Sequence, residues 1–200
     1  MAAPQPDRAR LRAFIGLGAN LGDTRAALRA AFAAIAALPR TRLKARSSLH
    51  RTAPIDAGGP DYLNAVASID TGLGAHELLG HLHAIEARHG RKRPHVNAPR
   101  TLDLDLLLYG DAQIDTPELT LPHPRLHTRA FVLAPLAELA PALSIPGRGR
   151  VDALLAGLAP QRIERLADGA RRRSGRPAPA GHAASGLRPD SPSTDTECMP

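Results

Sequence analysis

The 200-residue chain has no tryptophan, and its aromatic residues are Phe14, Phe32, Tyr62, Tyr109 and Phe131. Surfaces that bind single-stranded nucleic acid stack bases on aromatic rings, so this scarcity argues against such a platform. Cysteine occurs once, as Cys198 near the end of the chain. A lone cysteine excludes an intrachain disulfide framework, and a catalytic thiol is not expected in so polar a segment. The expected compartment is the reducing cytoplasm. No stretch approaches the ~20 apolar residues of a membrane span. The first twelve residues hold Pro4, Pro6, Asp7 and three arginines, with no apolar run before a cleavage site, so no secretory signal is expected. Lysine is nearly absent: of 26 basic residues only Lys44 and Lys92 are lysine, and the net charge is +7. Arginine favours bidentate contact with phosphates. A compositional bias in the coding DNA explains the same excess equally well.

What is present fits one globular domain with loose ends. Apolar residues make up 43 % and charged residues 22 % of the chain, as in ordinary folded proteins. Residues 1–10 read as a loose arm and 11–167 as the domain. From 168 to 200 an Arg/Pro/Ser-rich run, beginning around Arg171-Arg172-Arg173, has no apolar periodicity and is expected to be disordered. Within the domain, Ala13–Gly18 reads as a strand and the alanine-rich stretch from Thr24 to Leu38 as a helix stopped by Pro39. Leu43–Thr52 and Tyr62–Ile69 read as paired strands around the loop Ala53–Pro60. His76–His89 has Leu78, Leu79, Leu82 and Ile85 at helical spacing. Thr101–Tyr109 reads as a strand, Phe131–Leu139 as a helix and Val151–Leu158 as a short helix. The order βαββαβ, followed by a helical addition, is that of a ferredoxin-like fold. The fold class is α/β (α+β): a three-layer α-β-α sandwich with a mostly antiparallel central sheet.

The segment Asn97-Ala98-Pro99-Arg100-Thr101-Leu102-Asp103-Leu104-Asp105 is the most informative. Alternation puts Asp103 and Asp105 on one strand face, about 7 Å apart. Aspartate is a poor strand former, and two carboxylates at that distance repel by roughly 2–3 kcal/mol at an effective dielectric near 20. A divalent cation would convert the repulsion into coordination, and Mg²⁺ suits a site completed by waters and phosphate oxygens. A solvated polar face is the competing reading. Arg88, Arg91, Lys92, Arg93 and Arg100 precede the pair, and Arg125 and Arg129 follow it. Such cations suit a metal–polyphosphate complex, and a solvated or RNA-binding loop accounts for Arg91–Arg93 as well. Gly16-Leu17-Gly18-Ala19-Asn20-Leu21-Gly22 lacks the P-loop ending and the dinucleotide spacing, so it reads as a structural turn rather than a phosphate cradle. Tyr62 and Phe131 lie beside polar residues and could clamp a flat ring, or simply pack in the core. His76, His81, His83 and His89 read as helix-surface residues, and His123, between Pro122 and Pro124, is open to either a structural or a functional role.

Several separated motifs occur together: the Gly16–Gly22 segment, Ser47-Ser48 through Arg51-Thr52, Pro60-Asp61-Tyr62-Leu63-Asn64, Ile85-Glu86 with Gly90-Arg91, Pro99-Arg100-Thr101-Leu102-Asp103-Leu104-Asp105, and Pro122-His123-Pro124 with Arg129-Ala130-Phe131. Over about 12–165 the chain resembles the 6-hydroxymethyl-7,8-dihydropterin pyrophosphokinase family. The resemblance implies transfer of diphosphate from ATP to the hydroxymethyl group of the dihydropterin, with release of AMP, in folate biosynthesis. It implies that Asp103 and Asp105 hold two Mg²⁺ ions, with Arg91 and Arg100 joining them as catalytic residues. Glu86, Arg91, Arg93, Arg100, His123 and Arg129 match ATP-binding positions. Thr52, Pro54, Tyr62, Asn64 and Phe131 match the pterin pocket, with Tyr62 and Phe131 on either side of the ring. Asn97 stands where some members carry a tryptophan, and the loop Arg93–Asn97 is about one residue shorter than in some members. The partners implied are small molecules, with no nucleic acid, no membrane and no obligatory protein partner, and the protein is expected to be a monomer. The competing readings are an RNA-binding module of the same fold and a non-catalytic pterin- or nucleotide-binding homologue. The RNA-binding module lacks the interleaved aromatics its strands need. The non-catalytic homologue should have lost one of the two aspartates. A chain ending at Ala167 is expected to keep a single cooperative melting transition and its turnover, because the removed segment has little apolar surface to contribute. Loss of the transition in thermal melts would show that the boundary is misplaced.

Overall fold

Ala13, Ile15, Leu17 and Ala19 alternate along strand β1 (Leu11–Ala19), and all four enter one core. Successive side chains point to opposite faces, so Phe14, Gly16 and Gly18 belong to the other face. The computed structural model describes residues 9–54, 59–89 and 101–167. They lie in one compact unit, Met1–Asp168, and residues 169–200 are outside the described residues.

Helix α1 (Thr24–Ala36) starts where the Asp23 carboxylate accepts a hydrogen bond from the Ala26 N–H at 2.9 Å, a side-chain cap for an otherwise unpaired donor. It buries Leu28, Ala31, Phe32 and Ile35, spaced i, i+3, i+4, i+7, against the sheet. The helix ends before Leu38, and the chain turns at Arg40 with φ 51° ahead of Thr41. The strand expected over Leu43–Thr52 is in fact two: β2 (Thr41–Arg46) and β3 (Leu49–Thr52). Both pair antiparallel with β4 (Tyr62–Thr71). The break falls at Ser47-Ser48. There Ser47 N–H donates to the Val66 carbonyl, and Ser47 Oγ accepts from Val66 N–H, both at 2.9 Å. A side chain thus completes a ladder that the backbone leaves open.

Helix α2 (Ala75–Arg88) buries Leu78, Leu82 and Ile85 beside α1, and Glu77 accepts from the Gly74 N–H at its start. The last strand of the ferredoxin-like order, β5 (Asp103–Tyr109), pairs with β1. Here Phe14 faces Leu108 and Ile15 faces Leu106, so Leu107 is an extra residue in a bulge. The bulge lets both Leu107 and Leu108 enter the second core while Tyr109 packs on the first. Short hairpin strands β6 (Ile114–Asp115) and β7 (Thr120–Leu121) follow, then a single 3-10 turn at Leu126–Thr128.

Helices α3 (Ala130–Leu139) and α4 (Val151–Ala156) cover the opposite sheet face, with the hairpin β8 (Ser144–Ile145) and β9 (Gly149–Arg150) between them. Their Leu133, Leu136 and Val151 pack with Phe14, Val66, Leu107 and Leu108. A strand not foreseen from sequence, β10 (Ile163–Leu166), adds antiparallel to β3. The sheet order is β10-β3-β4-β1-β5, with β2 also beside β4, and every pairing described is antiparallel. This is the expected ferredoxin-like three-layer sandwich. Among the described residues no helix is long and apolar enough to cross a membrane. Leu28 is fully buried between α1 and the sheet. Leu28→Ala should lower unfolding stability by about 2–5 kcal/mol, seen as a lower urea midpoint at an unchanged slope.

Candidate active site

The pairing registers put the polar residues of the sheet in rows on the α3/α4 face. Asp103 lies opposite Gly18, Gly18 opposite Asn64, and Asn64 opposite His50. In the next row Asp105 lies opposite Gly16 and Gly16 opposite Val66. Directly opposed residues share a face, so both aspartates stand beside glycines that fill no space. A Cβ on Gly18 would come within 3.2 Å of Asn64 Oδ1, and one on Gly16 within 3.3 Å of the Leu107 side chain.

Thr52 faces Tyr62 across β3 and β4. Asn64 Nδ2 donates to Thr52 Oγ1 at 2.8 Å, and both side chains are buried. Thr52, Ala53, Pro54 and Phe131 line a cavity of about 240 Å³ together with Gln161 and Arg162. That volume lies below the range of drug-sized sites. The guanidinium of Arg129 sits 5.4 Å from the centre of the Phe131 ring, within cation–π range. Asn20 reaches the loop before β4, with Nδ2 3.4 Å from the Pro60 carbonyl.

His123 follows the β6–β7 hairpin, and its backbone N–H donates to the Leu107 carbonyl at 3.0 Å. Its Nδ1 accepts from the Arg125 N–H at 3.3 Å, which places the neutral ring's proton on Nε2. That nitrogen is 4.0 Å from Asp105 Oδ2. Burial pushes the imidazole below the ordinary histidine range. Arg129 and Arg125 push the same way, against the opposing pull of Asp105 and Asp103. Glu86 is fully buried on α2, and its Oε1 accepts from the Leu104 N–H at 2.8 Å. It therefore holds the backbone of the residue between the two aspartates. Thr101 Oγ1 donates to the His89 carbonyl at 2.7 Å and ties together the two ends of the segment 90–100.

Of the residues singled out in the sequence, Thr52, Pro54, Tyr62, Asn64, Asp103, Asp105, His123, Arg129 and Phe131 gather at one end of the sheet face. Glu86 approaches β5 from the α1/α2 side. Arg91, Arg93, Arg100 and Asn97 lie outside the described residues. Gln161 and Arg162 were not foreseen. They sit between a one-and-a-half-turn helix and a four-residue strand, where the sequence has no periodic signal.

Two hard-oxygen donors on one strand face, both partly open to solvent, fit Mg²⁺. That ion takes few protein ligands and keeps positions for water and phosphate. The face carrying them is roofed by α3 and α4, whereas an RNA-recognition sheet leaves it open. Fold and site together define a ferredoxin-like α/β domain that carries an aspartate pair and a small cavity on one sheet face.

Comparison with known proteins narrows that class. Residues 14–141 match the family described as 7,8-dihydro-6-hydroxymethylpterin-pyrophosphokinase (HPPK). A 2-amino-4-hydroxy-6-hydroxymethyldihydropteridine pyrophosphokinase of Pseudomonas aeruginosa is 45% identical over 156 residues, covering 78% of this chain and 96% of the relative. The protein of the same name from Methylorubrum extorquens is 46% identical over 156 residues, covering 78% and 98%. Among solved structures, an HPPK-DHPS in complex with substrates superposes with a TM-score of 0.59 at 11% identity, over 74% of this chain and 43% of that one. A Plasmodium falciparum HPPK-DHPS A437G with STZ-DHP gives 0.60 at 11% identity, over 76% and 46%. This chain spans less than half of those longer chains, and the likeness is one of fold. The chain belongs to the 7,8-dihydro-6-hydroxymethylpterin-pyrophosphokinase family. It is an enzyme of folate biosynthesis that transfers diphosphate to hydroxymethyldihydropterin, with ATP as co-substrate.

The Thr52–Asn64 bond generates a stability prediction. Thr52→Val keeps the shape but leaves the buried Asn64 amide without this acceptor. It should cost about 1–3 kcal/mol in urea unfolding, whereas Thr52→Ser, which retains the hydroxyl, should cost less.

Proposed function

We propose that the catalytic centre lies over the Asp103/Asp105 face of β5 and that the dihydropterin ring enters the Thr52–Pro54–Phe131 cavity. The observation that carries this reading is the register: it sets both aspartates on the same sheet face as Thr52, which lines that cavity. Asp103 and Asp105 would hold two Mg²⁺ ions, which when bound neutralise charge on the triphosphate and on the group in transit. Arg129 and His123, with Arg91, Arg93 and Arg100, would bind the ATP phosphates, Arg91 and Arg100 acting closest to the transferred group. His123, neutral with its proton on Nε2, would donate to a phosphate oxygen rather than add a full charge. Glu86 serves ATP through β5, by holding Leu104 between the aspartates.

On the acceptor side, Phe131 would cover one face of the ring and Tyr62 the other, with Asn64 and Thr52 supplying polar contacts at its edge. Pro54 closes the cavity wall beside them. The hydroxymethyl oxygen attacks the β-phosphorus in line. The bond from the β-phosphorus to the α–β bridging oxygen breaks, and AMP leaves with that oxygen. No side chain is assigned as general base. The reading takes the enzyme as a cytoplasmic monomer whose partners are its small-molecule substrates.

The test combines product and variant. With ATP, Mg²⁺ and 6-hydroxymethyl-7,8-dihydropterin, the protein should form AMP and not ADP. Asp103→Ala and Asp105→Ala should each reduce turnover by roughly 100-fold or more, the scale of losing a transition-state charge stabiliser, with near-unchanged urea midpoints. Near wild-type turnover in either variant at saturating Mg²⁺ would remove the metal-holding role.

A further inference from the structure

Three elements wall the cavity: β3 and its continuation with Thr52, Ala53 and Pro54, α3 with Phe131, and the lead into β10 with Gln161 and Arg162. One carboxylate outside the cavity touches all three. Glu138 Oε2 accepts from the Ser48 N–H, just before β3, at 2.8 Å. Its Oε1 lies 2.9 Å from Nε2 of His50 on β3 and 2.8 Å from Nε of Arg165 on β10. Arg165 Nε also donates to Ser48 Oγ at 3.0 Å. Desolvation alone would push the Glu138 carboxyl up. The Ser48 N–H, His50 and Arg165 outweigh it and hold the group below the ordinary glutamate range. The carboxylate is therefore ionised near neutrality, and His50 Nε2 must carry the proton in their hydrogen bond. His50 is 4 % exposed, and its Nδ1 has no hydrogen-bond partner among the described residues, so Glu138 is what orients the ring.

The spacing turns this cluster into a gauge. Phe131 and Glu138 are seven residues apart, two turns along one helix face, or about 10.5 Å. Ser48, His50 and Thr52 lie on one face of the facing strand at about 6.6 Å intervals. Glu138 sits over Ser48 and His50, and Phe131 shares the cavity with Thr52 and Pro54. Helix α3 thus lies along β3 and is pinned at its far end by ionic hydrogen bonds. Its near end carries the ring of the pocket.

We propose that Glu138 is a positioning residue of the pterin pocket: by fixing Ser48, His50 and Arg165 it sets the axial and rotational placement of α3 on β3, and hence the gap between Phe131 and the Thr52–Pro54 wall. The inference rests on assigning that cavity to the pterin, as above. Three donors converge on two acceptor oxygens, so an amide in place of the carboxylate turns its NH₂ toward at least one of them.

The experiment measures KM for 6-hydroxymethyl-7,8-dihydropterin at saturating ATP, and KM for ATP at saturating dihydropterin, below the melting range of every variant. Glu138→Gln should raise the pterin KM about tenfold and change the ATP KM less than twofold. Glu138→Asp, which keeps the charge on a shorter stem, should show the same bias at about threefold, and it supplies the reading if the amide variant does not fold. Leu28→Ala, in the other core, should lower the melting temperature at least as much and leave both KM values within twofold. Phe131→Ala runs in parallel. If it leaves the pterin KM unchanged, the cavity assignment fails. If it raises the pterin KM while both Glu138 variants stay within twofold, the positioning role is overturned. Equal rises in both KM values for the Glu138 variants, or a matching rise in Leu28→Ala, overturn it as well, because general loosening would then explain the effect.

Discussion

The antiparallel register of β1 between β4 and β5 is the constraint on which the rest depends. It sets Gly18 between Asn64 and Asp103, and Gly16 between Val66 and Asp105. A slip of one residue would send Leu104 and Leu106 to the site face and turn both aspartates into the α1/α2 core. Burying two carboxylates there would cost several kcal/mol each, so the alternation of leucine and aspartate specifies its own register. The bulge at Leu107 then reverses the phase once. Beyond it, Leu108 joins the α3/α4 core and Tyr109 joins the α1/α2 core, where its hydroxyl donates to the Leu73 carbonyl at 2.6 Å. Both faces of one strand thus end in apolar packing while its first half keeps a polar face.

The site divides into a half that the sheet holds and a half that α3 carries. Asp103, Asp105, Asn64 and Thr52 stand on paired strands, whose spacing of about 4.8 Å leaves little freedom. Phe131 and Arg129 stand at the start of a helix whose packing against the sheet is largely apolar. Leucine contacts are non-directional and tolerate sliding. The directional bonds at Glu138 supply what they lack.

Much of this was legible in the sequence, and the misses share a cause. Alternation and helical spacing located β1, α1, β4, α2 and β5 to within a few residues, because each is long enough to show a period. The shared face of Asp103 and Asp105 was legible because strand alternation is a local signal. The division of Leu43–Thr52 was not, since Ser47-Ser48 looks like any polar pair until Val66 is beside it. Strand β10 was not, since Ile163-Glu164-Arg165-Leu166 is too short for a pattern and is defined by pairing with β3, over a hundred residues earlier. Nor was Glu138, an acidic residue in an apolar helix whose partners lie 88 and 90 residues away. Local signals reveal elements, whereas contacts between distant segments reveal how they are fastened.

The split of the second strand has a consequence for how the protein behaves in a crowded solution. Strand β10 covers β3, whereas β2 pairs on one side with β4 and, among the described residues, has no strand on the other. An uncovered strand edge is a template for joining another chain into a continuous sheet. Here Arg42, Lys44 and Arg46 all project from β2, and all are exposed. Two such borders brought together would oppose like charges along their whole length. The arginine-rich composition that first suggested phosphate binding therefore also guards this border against aggregation.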